Sequence, residues 1–340
     1  MSGPLYTVPD VLNTLDQFGR PAGYGTTLEL ATGVRATFHD AGHILGSAFL
    51  QLDLQEGSER HRVIFSGDLG NKGRPLLRDP ATPPRADAVV METTYGDRDH
   101  RTLRASVDEL HQAISDTLDR GGNVIIPTFA LERAQEILFY LREGVDSGRL
   151  PRTLNVFLDS PMAISATEIF RRHPECYDEE TARLFRERGD PLDLPGLHFV
   201  HDAAESMALN RLAGGAVIMA GSGMCTGGRV RHHLKHNLWR QQASVVFVGY
   251  AARGTLGREI VDGAKRVRIF GEDIAVNAHI HTINGFSAHA GQAELLAWQA
   301  QIAPAKTFLV HGEEEVTRKF GALLRGTEVV IPALNEACGL

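Results

Sequence analysis

Between Asn123 and Val261 the sequence alternates short apolar runs with amphipathic ones: NVIIPT, LERAQEILFYL, LNVFLDS, SPMAISATEIF, and later AVIMAG, GRVRHHLKHNL, SVVFVGY and TLGREIV. Short β-branched runs bounded by turn residues read as strands buried on both faces, and the segments between them carry helical spacing. A strand that restarts in the same direction needs a crossover, which a helix supplies. This region is therefore expected to be a parallel sheet covered by helices.

The flanks have a different texture. VRATF, AFLQLDLQ, RVIFSG and AVVME read as consecutive strands. Before them, VPDVLNTLDQF sets Val8, Val11, Leu12, Leu15 and Phe18 on one helical stripe, followed by a loop through GRPAGYG. LRASVDELHQAISDTL puts Leu103, Val107, Leu110, Ile114 and Leu118 at helical spacing, and Gly121–Gly122 stops it. A polar stretch from 173 to 210 reads as helical. From about 281, HTINGFSAHAGQAELLAWQA, KTFLVHGEEE and VVIPA return to the texture of the opening. The middle thus reads as an insertion, giving a first part at 1–96, an inserted domain at 97–280 and a last part at 281–340.

Strand after strand ends in a residue able to do chemistry: Asp68, Glu92, Thr128, Asp159–Ser160, Ser222, Tyr250 and His311. In open α/β sheets ligands bind outside the carboxyl ends of the strands, so these positions could share one cleft. His43 in FHDAGHILGSAF and Asp68 in VIFSGDLG sit in Gly-rich corners. Imidazole and carboxylate are the ligands of hydrolytic zinc sites, although each alone also reads as a core histidine or a turn aspartate. Glu92 alone reads as an exposed strand-end carboxylate, and Thr128 and Ser160 read equally as helix N-caps. GSGMCTGGR, which holds Ser222, Gly223, Met224 and Arg229, is either a phosphate cradle at a helix start or a tight turn. The helix after it, with Arg231, His232, His233, Lys235 and His236, is either a basic face for a nucleic-acid backbone or a solvated one.

Composition narrows the classes. Lys and Arg number 35 against 42 Asp and Glu, a net charge of −7 that excludes a uniformly basic surface. Three scattered cysteines make no disulfide framework and no metal knuckle, and point to a reducing cytosol. No apolar run is long enough to span a bilayer, so no membrane partner and a cytoplasmic location are expected.

Together, AGHILGSA, SGDLGN, ETTYGDR, PTFALERAQEIL, DSPMA, GSGMCTGGR, GTLGRE, FSAHAG and VHGEEE resemble, in family order, the β-CASP branch of metallo-β-lactamase-fold nucleases. That branch includes the pre-mRNA 3′-end cleavage endonuclease and bacterial RNA-cleaving relatives. The resemblance implies an α/β fold in which a metallo-β-lactamase domain carries an inserted β-CASP domain, with RNA entering between them. It implies His43, Asp68 and His311 as metal ligands, Asp68 bridging two zinc ions, with a water activated between them for in-line attack. It assigns His289 to protonation of the leaving 3′ oxygen and Glu92 to holding that imidazole, so that Asp68, Glu92 and His289 are the catalytic set. Ser160, Ser222, Gly223, Met224, Arg229 and Ser287 are the implied RNA contacts.

One motif of that family, HxHxDH, is absent. The only HxH is His279–His281, and no Asp-His follows it. The expectation is a partial metallo-β-lactamase fold, an αββα sandwich without its first strands, truncated at the N-terminus by a misplaced start or by gene damage. Four ligands would be missing, and one sheet edge and its apolar face would be uncovered. For the chain as given, fewer than two bound ions and no cleavage are expected. The leading reading is a metal-dependent endoribonuclease, with 5′–3′ exonuclease action and a homodimer left open. The second is a non-catalytic RNA-binding or scaffold subunit derived from such a nuclease.

Overall fold

The computed structural model describes residues 6–19 and 21–340. Helix α1 (Val8–Leu15) opens on a capping box in which the Thr7 N–H and hydroxyl both donate to Asp10 Oδ2 at 2.7 Å. The helix forms as its spacing predicts, but its apolar stripe is not buried: Val8 is 72% exposed and Phe18, just beyond it, 78%. Four antiparallel strands follow, β1 (Thr27–Ala31), β2 (Val34–Asp40), β3 (Ala48–Glu56) and β4 (Glu59–Phe65), and then β5 (Ala88–Glu92), parallel to β4.

Helix α2 (Leu103–Asp119) leads into the alternating region: β6 (Val124–Pro127), α3 (Arg133–Asp146), β7 (Asn155–Leu158), α4 (Pro161–Arg172), α5 (Glu179–Arg188), β8 (Leu197–Phe199), α6 (Ala203–Leu209), β9 (Ala216–Ala220), α7 (Val230–Asn237), β10 (Ser244–Phe247) and α8 (Leu256–Val261). A small hairpin of β11 (Arg266–Ile269) and β12 (Glu272–Ala275) precedes β13 (His279–Thr282). The chain closes with α9 (Gln292–Ile302), β14 (Lys306–Val310), α10 (Glu314–Gly321) and β15 (Glu328–Val330).

Two large sheets result. The first has seven strands in the order β1-β2-β3-β4-β5-β14-β15. The second has six in the order β13-β10-β6-β9-β7-β8, all parallel, as the alternation requires. Its inner strands are buried on both faces, with Ile126, Val156 and Met219 in one core and Ile125, Ile218 and Phe247 in the other.

On one face of the first sheet, Phe49, Ile64, Val89, Met91 and Leu309 pack beneath Leu295 and Trp298 of α9 and Phe320 of α10. On the other, Phe38, Leu50, Phe65, Val90, Phe308 and Val330 stand in register across six strands. Phe65 is 39% exposed, Phe308 is buried and the rest of the row is half-buried.

Three features depart from the sequence reading. β1 and the β11–β12 hairpin arise where the sequence reading assigned no strand, and the polar stretch 173–210 holds α5, β8 and α6 rather than continuous helix. These strands are short and largely exposed, so sequence patterning marks them weakly. The expected return at 281 falls inside β13, which pairs with β10. The chain re-enters the first sheet only with β14. Among the described residues no helix is long and apolar enough to cross a membrane.

Candidate metal centre

The corner after β2 and the corner after β4 are packed back to back. Ser47 Oγ accepts the N–H groups of His43 and Ile44 at 3.0 and 3.2 Å, fixing the first corner. The Gly70 N–H donates to Ala41 O at 2.8 Å, tying the second corner to the first. A Cβ at Gly70 would stand 1.8 Å from Gly42 O, so only glycine allows this approach. The contact brings His43 Nε2 to 3.8 Å from Asp68 Oδ2.

His311 arrives from the other side. It ends β14 in the left-handed region, at φ 48°, a conformation costly for a residue with a Cβ. That turn places its Nδ1 3.2 Å from Asp68 Oδ1. His289 comes from the loop before α9, and its ring centroid lies 4.3 Å from that of His43.

Two groups of donor atoms converge within 4.8 Å, His43 with Asp68 and His289, and Asp68 with Glu92 and His311, and Asp68 is common to both. A shared carboxylate flanked by imidazoles suits divalent zinc, whose hydrolytic sites use three protein ligands and an open position. The donor set therefore fits a metal. Burial, with the neighbouring His289 charge, lowers the His43 pKa, which favours the neutral imidazole that a metal requires.

Glu92 is buried, 1% exposed, and not the exposed strand-end carboxylate of its bare sequence reading. Its Oε1 accepts the Leu69 N–H at 2.6 Å, and His289 Nδ1 lies 3.0 and 3.2 Å from its two oxygens. Burial pushes the Glu92 carboxyl up, but the His289 hydrogen bond and charge outweigh it and hold the pKa below the ordinary value. Burial likewise pulls His289 down, and the Glu92 bond and charge outweigh that, raising it above the usual imidazole value. The pair thus stabilises an imidazolium with Nδ1 occupied and Nε2 free. A protonated imidazole gives a proton and does not ligate a metal.

The strand ends of the second sheet mostly go elsewhere. Asp159 is fully buried and receives Arg229 Nη1 at 2.7 Å, His233 Nε2 at 2.6 Å and Ser206 Oγ at 2.6 Å. Burial raises its pKa, and those three bonds more than offset the effect. Arg229 also donates to the carbonyls of Val200 and His201, so its guanidinium is committed to the protein.

Ser160 caps α4, with Oγ accepting the Ala163 N–H at 3.3 Å. The 221–229 loop folds on itself, through Ser222 N to Gly227 O at 3.2 Å and Val230 N to Gly221 O at 3.1 Å. There Gly223 packs against the Phe129 ring, and Met224 O accepts the Gly257 N–H. Of the basic residues on α7, His233 is bound to Asp159, Lys235 pairs with Glu272, and Arg231 and His232 lie on the Phe270 ring. Tyr250 is the exception among the second-sheet ends. It reaches the first site, donating to Glu313 Oε1 at 2.5 Å and facing Tyr95 at 6.3 Å.

Ser287 is buried, and its Oγ accepts the His289 N–H at 3.3 Å. Around it lie residues the sequence reading passed over: Asn71, Arg74 and His100 bond the carbonyls of this loop. Asn71 ends the motif SGDLGN and Arg74 lies three residues beyond it, but neither residue type is a metal ligand, so neither drew a role.

Comparison with known proteins gives the family. The Beta-Casp domain family matches residues 134–260, and the family described as Zn-dependent metallo-hydrolase RNA specificity domain matches 273–332. Ribonuclease TTHA0252 of Thermus thermophilus is 44% identical over 338 residues, covering 99% of this chain and 76% of that protein. Transcription termination factor FttA of Methanocaldococcus jannaschii is 33% identical over 332 residues, covering 94% of this chain and 51% of that protein. The FttA of Thermococcus kodakarensis is 34% identical over 343 residues, covering 95% and 52%. The chain thus spans about half the length of the two FttA proteins.

Proposed function

Because the chain belongs to the β-CASP family of metallo-β-lactamase-fold ribonucleases, we propose that it acts on RNA as a metal-dependent phosphodiesterase, with zinc as the metal and RNA as the substrate. The observation that carries this is the buried Glu92 carboxylate 3.0 Å from His289, beside the shared carboxylate Asp68.

His43, Asp68 and His311 would hold metal. A metal bound there would lower the pKa of a bound water and offset charge growing on the phosphoryl oxygens. His289 gives its Nε2 proton to the leaving 3′ oxygen, a step worth about 10² to 10⁴ in rate. Glu92 keeps the ring oriented and charged until that transfer. Ser222, Gly223 and Met224 are the RNA contacts we retain. Ser160, Ser287 and Arg229 serve RNA indirectly, by holding the loops that bear such contacts. The free thiols of Cys176, Cys225 and Cys338 support a reducing, cytoplasmic setting.

The test is cleavage and binding of a 5′-labelled RNA by the purified chain, with zinc or manganese added and bound metal counted. Metal-dependent cleavage that leaves 5′-phosphate ends and disappears in His289→Ala supports the enzyme reading. Tight RNA binding without cleavage, and fewer than two ions per chain, supports the second reading, a non-catalytic RNA-binding subunit. Neither binding nor cleavage refutes both.

A further inference from the structure

The loop 285–289 delivers His289, and its main-chain oxygens are met by side chains from the turn after Asp68. Arg74 Nη2 donates to Gly285 O and to Ser287 O, the latter at 2.9 Å. Asn71 Nδ2 donates to Ser287 O at 2.8 Å and His289 O at 3.2 Å, and the Asn71 N–H donates to Ala288 O at 3.2 Å. Arg74 Nε in turn donates to Asn71 Oδ1 at 2.5 Å, which fixes the amide's orientation. The remaining arm of the guanidinium, Nη1, lies 3.1 Å from Glu136 Oε1 on α3, a helix of the second sheet's layer. Glu136 is only 4% exposed, and its other oxygen receives Arg133.

A buried ion pair is by itself weak evidence for stability, because desolvation offsets the attraction. What distinguishes this one is where the donors go. A guanidinium offers five N–H groups in a rigid fork, and here two go to the loop that carries His289, one to the residue that clamps the same loop, and one to the inserted layer. Lysine, with a single flexible ammonium, cannot reproduce that set.

We propose that Arg74 is the positioning residue for His289: it fixes the 285–289 loop against the corner that bears Asp68 and, through Glu136, ties that loop to the position of α3. The proposal deepens the reading of His289 as proton donor and rests on it. A group that must meet a leaving oxygen is sensitive to small displacements, and a misplacement of about 1 Å costs roughly 10²-fold. Movement of α3 relative to the first sheet, as RNA enters between the layers, would pull on Glu136 and therefore on the His289 loop.

The experiment reads the His289 ring directly, on the full chain labelled with ¹⁵N-histidine and without RNA or added metal. The Nδ1–H held by Glu92 gives a low-field, exchange-protected proton signal, assigned by its loss in His289→Gln. Arg74→Lys is expected to move or broaden that signal in folded protein, and Glu136→Gln to do so as well, although every bond from Arg74 to the loop is left in place. An unmoved signal in folded Arg74→Lys overturns the proposal. If Arg74→Lys does not fold, Glu136→Gln decides by the same criterion, and failure of both to fold overturns it too, since the pair is then structural only. Where cleavage is measurable, Arg74→Lys is expected to lower kcat by about 10- to 100-fold with KM nearly unchanged. A chain that cleaves no RNA refutes the enzyme reading but leaves the ring signal as the test of Arg74.

Discussion

Glu132 offers a sharp test of how this fold handles buried charge. It sits at the start of α3 with φ 66° and ψ −59°, and the Arg133 N–H donates to Leu131 O at 2.9 Å across it. That is a γ-turn of the strained hand, rare for a residue with a side chain. Glu132 is 7% exposed and Oε2 has no partner, while the Leu45 main chain beside the His43 corner and the Arg133 and Arg74 charges only partly favour the charged form. The nearby Arg133 and Arg74 are both engaged by Glu136. Burial therefore dominates and pushes the carboxyl from 4.5 up to about 8.

The sign follows from proton counting. Between pH 4.5 and 8 the unfolded chain releases a proton that the folded chain keeps, so stability present at low pH is lost as pH rises. At about 1.4 kcal/mol per pH unit the loss reaches a ceiling of about 5 kcal/mol at pH 8. Glu132→Gln keeps the shape and a carbonyl acceptor but cannot ionise. Its stability advantage should be near zero at pH 4.5 and grow toward that ceiling by pH 8. For 340 residues that is a rise in Tm of about 7 °C, from an unfolding entropy of about 2 cal/mol/K per residue. Paired thermal melts at pH 4.5, 6 and 8 measure it. Glu132→Gly serves as control, because relief of the turn adds about 1–3 kcal/mol at every pH. Melting curves for Glu132→Gln that stay parallel to the native ones across this range would refute the reasoning, since the carboxyl would then be ionised in the fold.

Two further outcomes concern the scaffold. Asp159→Ala leaves Arg229 and the buried His233 without their carboxylate and should cost about 3–5 kcal/mol in urea unfolding; a loss under about 1 kcal/mol would mean the cluster is replaceable. Gly70→Ala forces a Cβ toward Gly42 O and should cost at least about 1–3 kcal/mol while separating His43 from Asp68. Bound metal per folded chain should fall with it, and unchanged metal content would count against the two-corner geometry.

Much of the second sheet was legible, because its four inner strands β10, β6, β9 and β7 are apolar runs and helical stripes lie between them. Local periodicity and connectivity are both written in the chain, and together they force the parallel order. The short strands β1, β8, β11 and β12 were not legible, since runs of three to five residues with few or no buried side chains leave little pattern and pairing decides them. The site followed the same division. His43, Asp68, Glu92, His289 and His311 could be picked out as motifs at turns and strand ends, because the residue types able to bind metal or move a proton are few. Their meeting could not, because it depends on a 1.8 Å allowance at Gly70, a left-handed His311 and a loop 216 residues further along the chain than the Asn71 that clamps it.

The sequence by itself determined the chemistry available and the kind of sheet that presents it, since side-chain type and local period are properties of neighbours in the chain. Only the tertiary structure decided which polar residues act and which hold. Arg229 and Ser160 read as ligands for RNA and bond the protein. Arg74 drew no reading and Glu132 read as the start of a helix, and the first is half-buried and the second buried at the site's edge. Burial removes water as the alternative partner, and which groups lose water is settled only when distant segments pack.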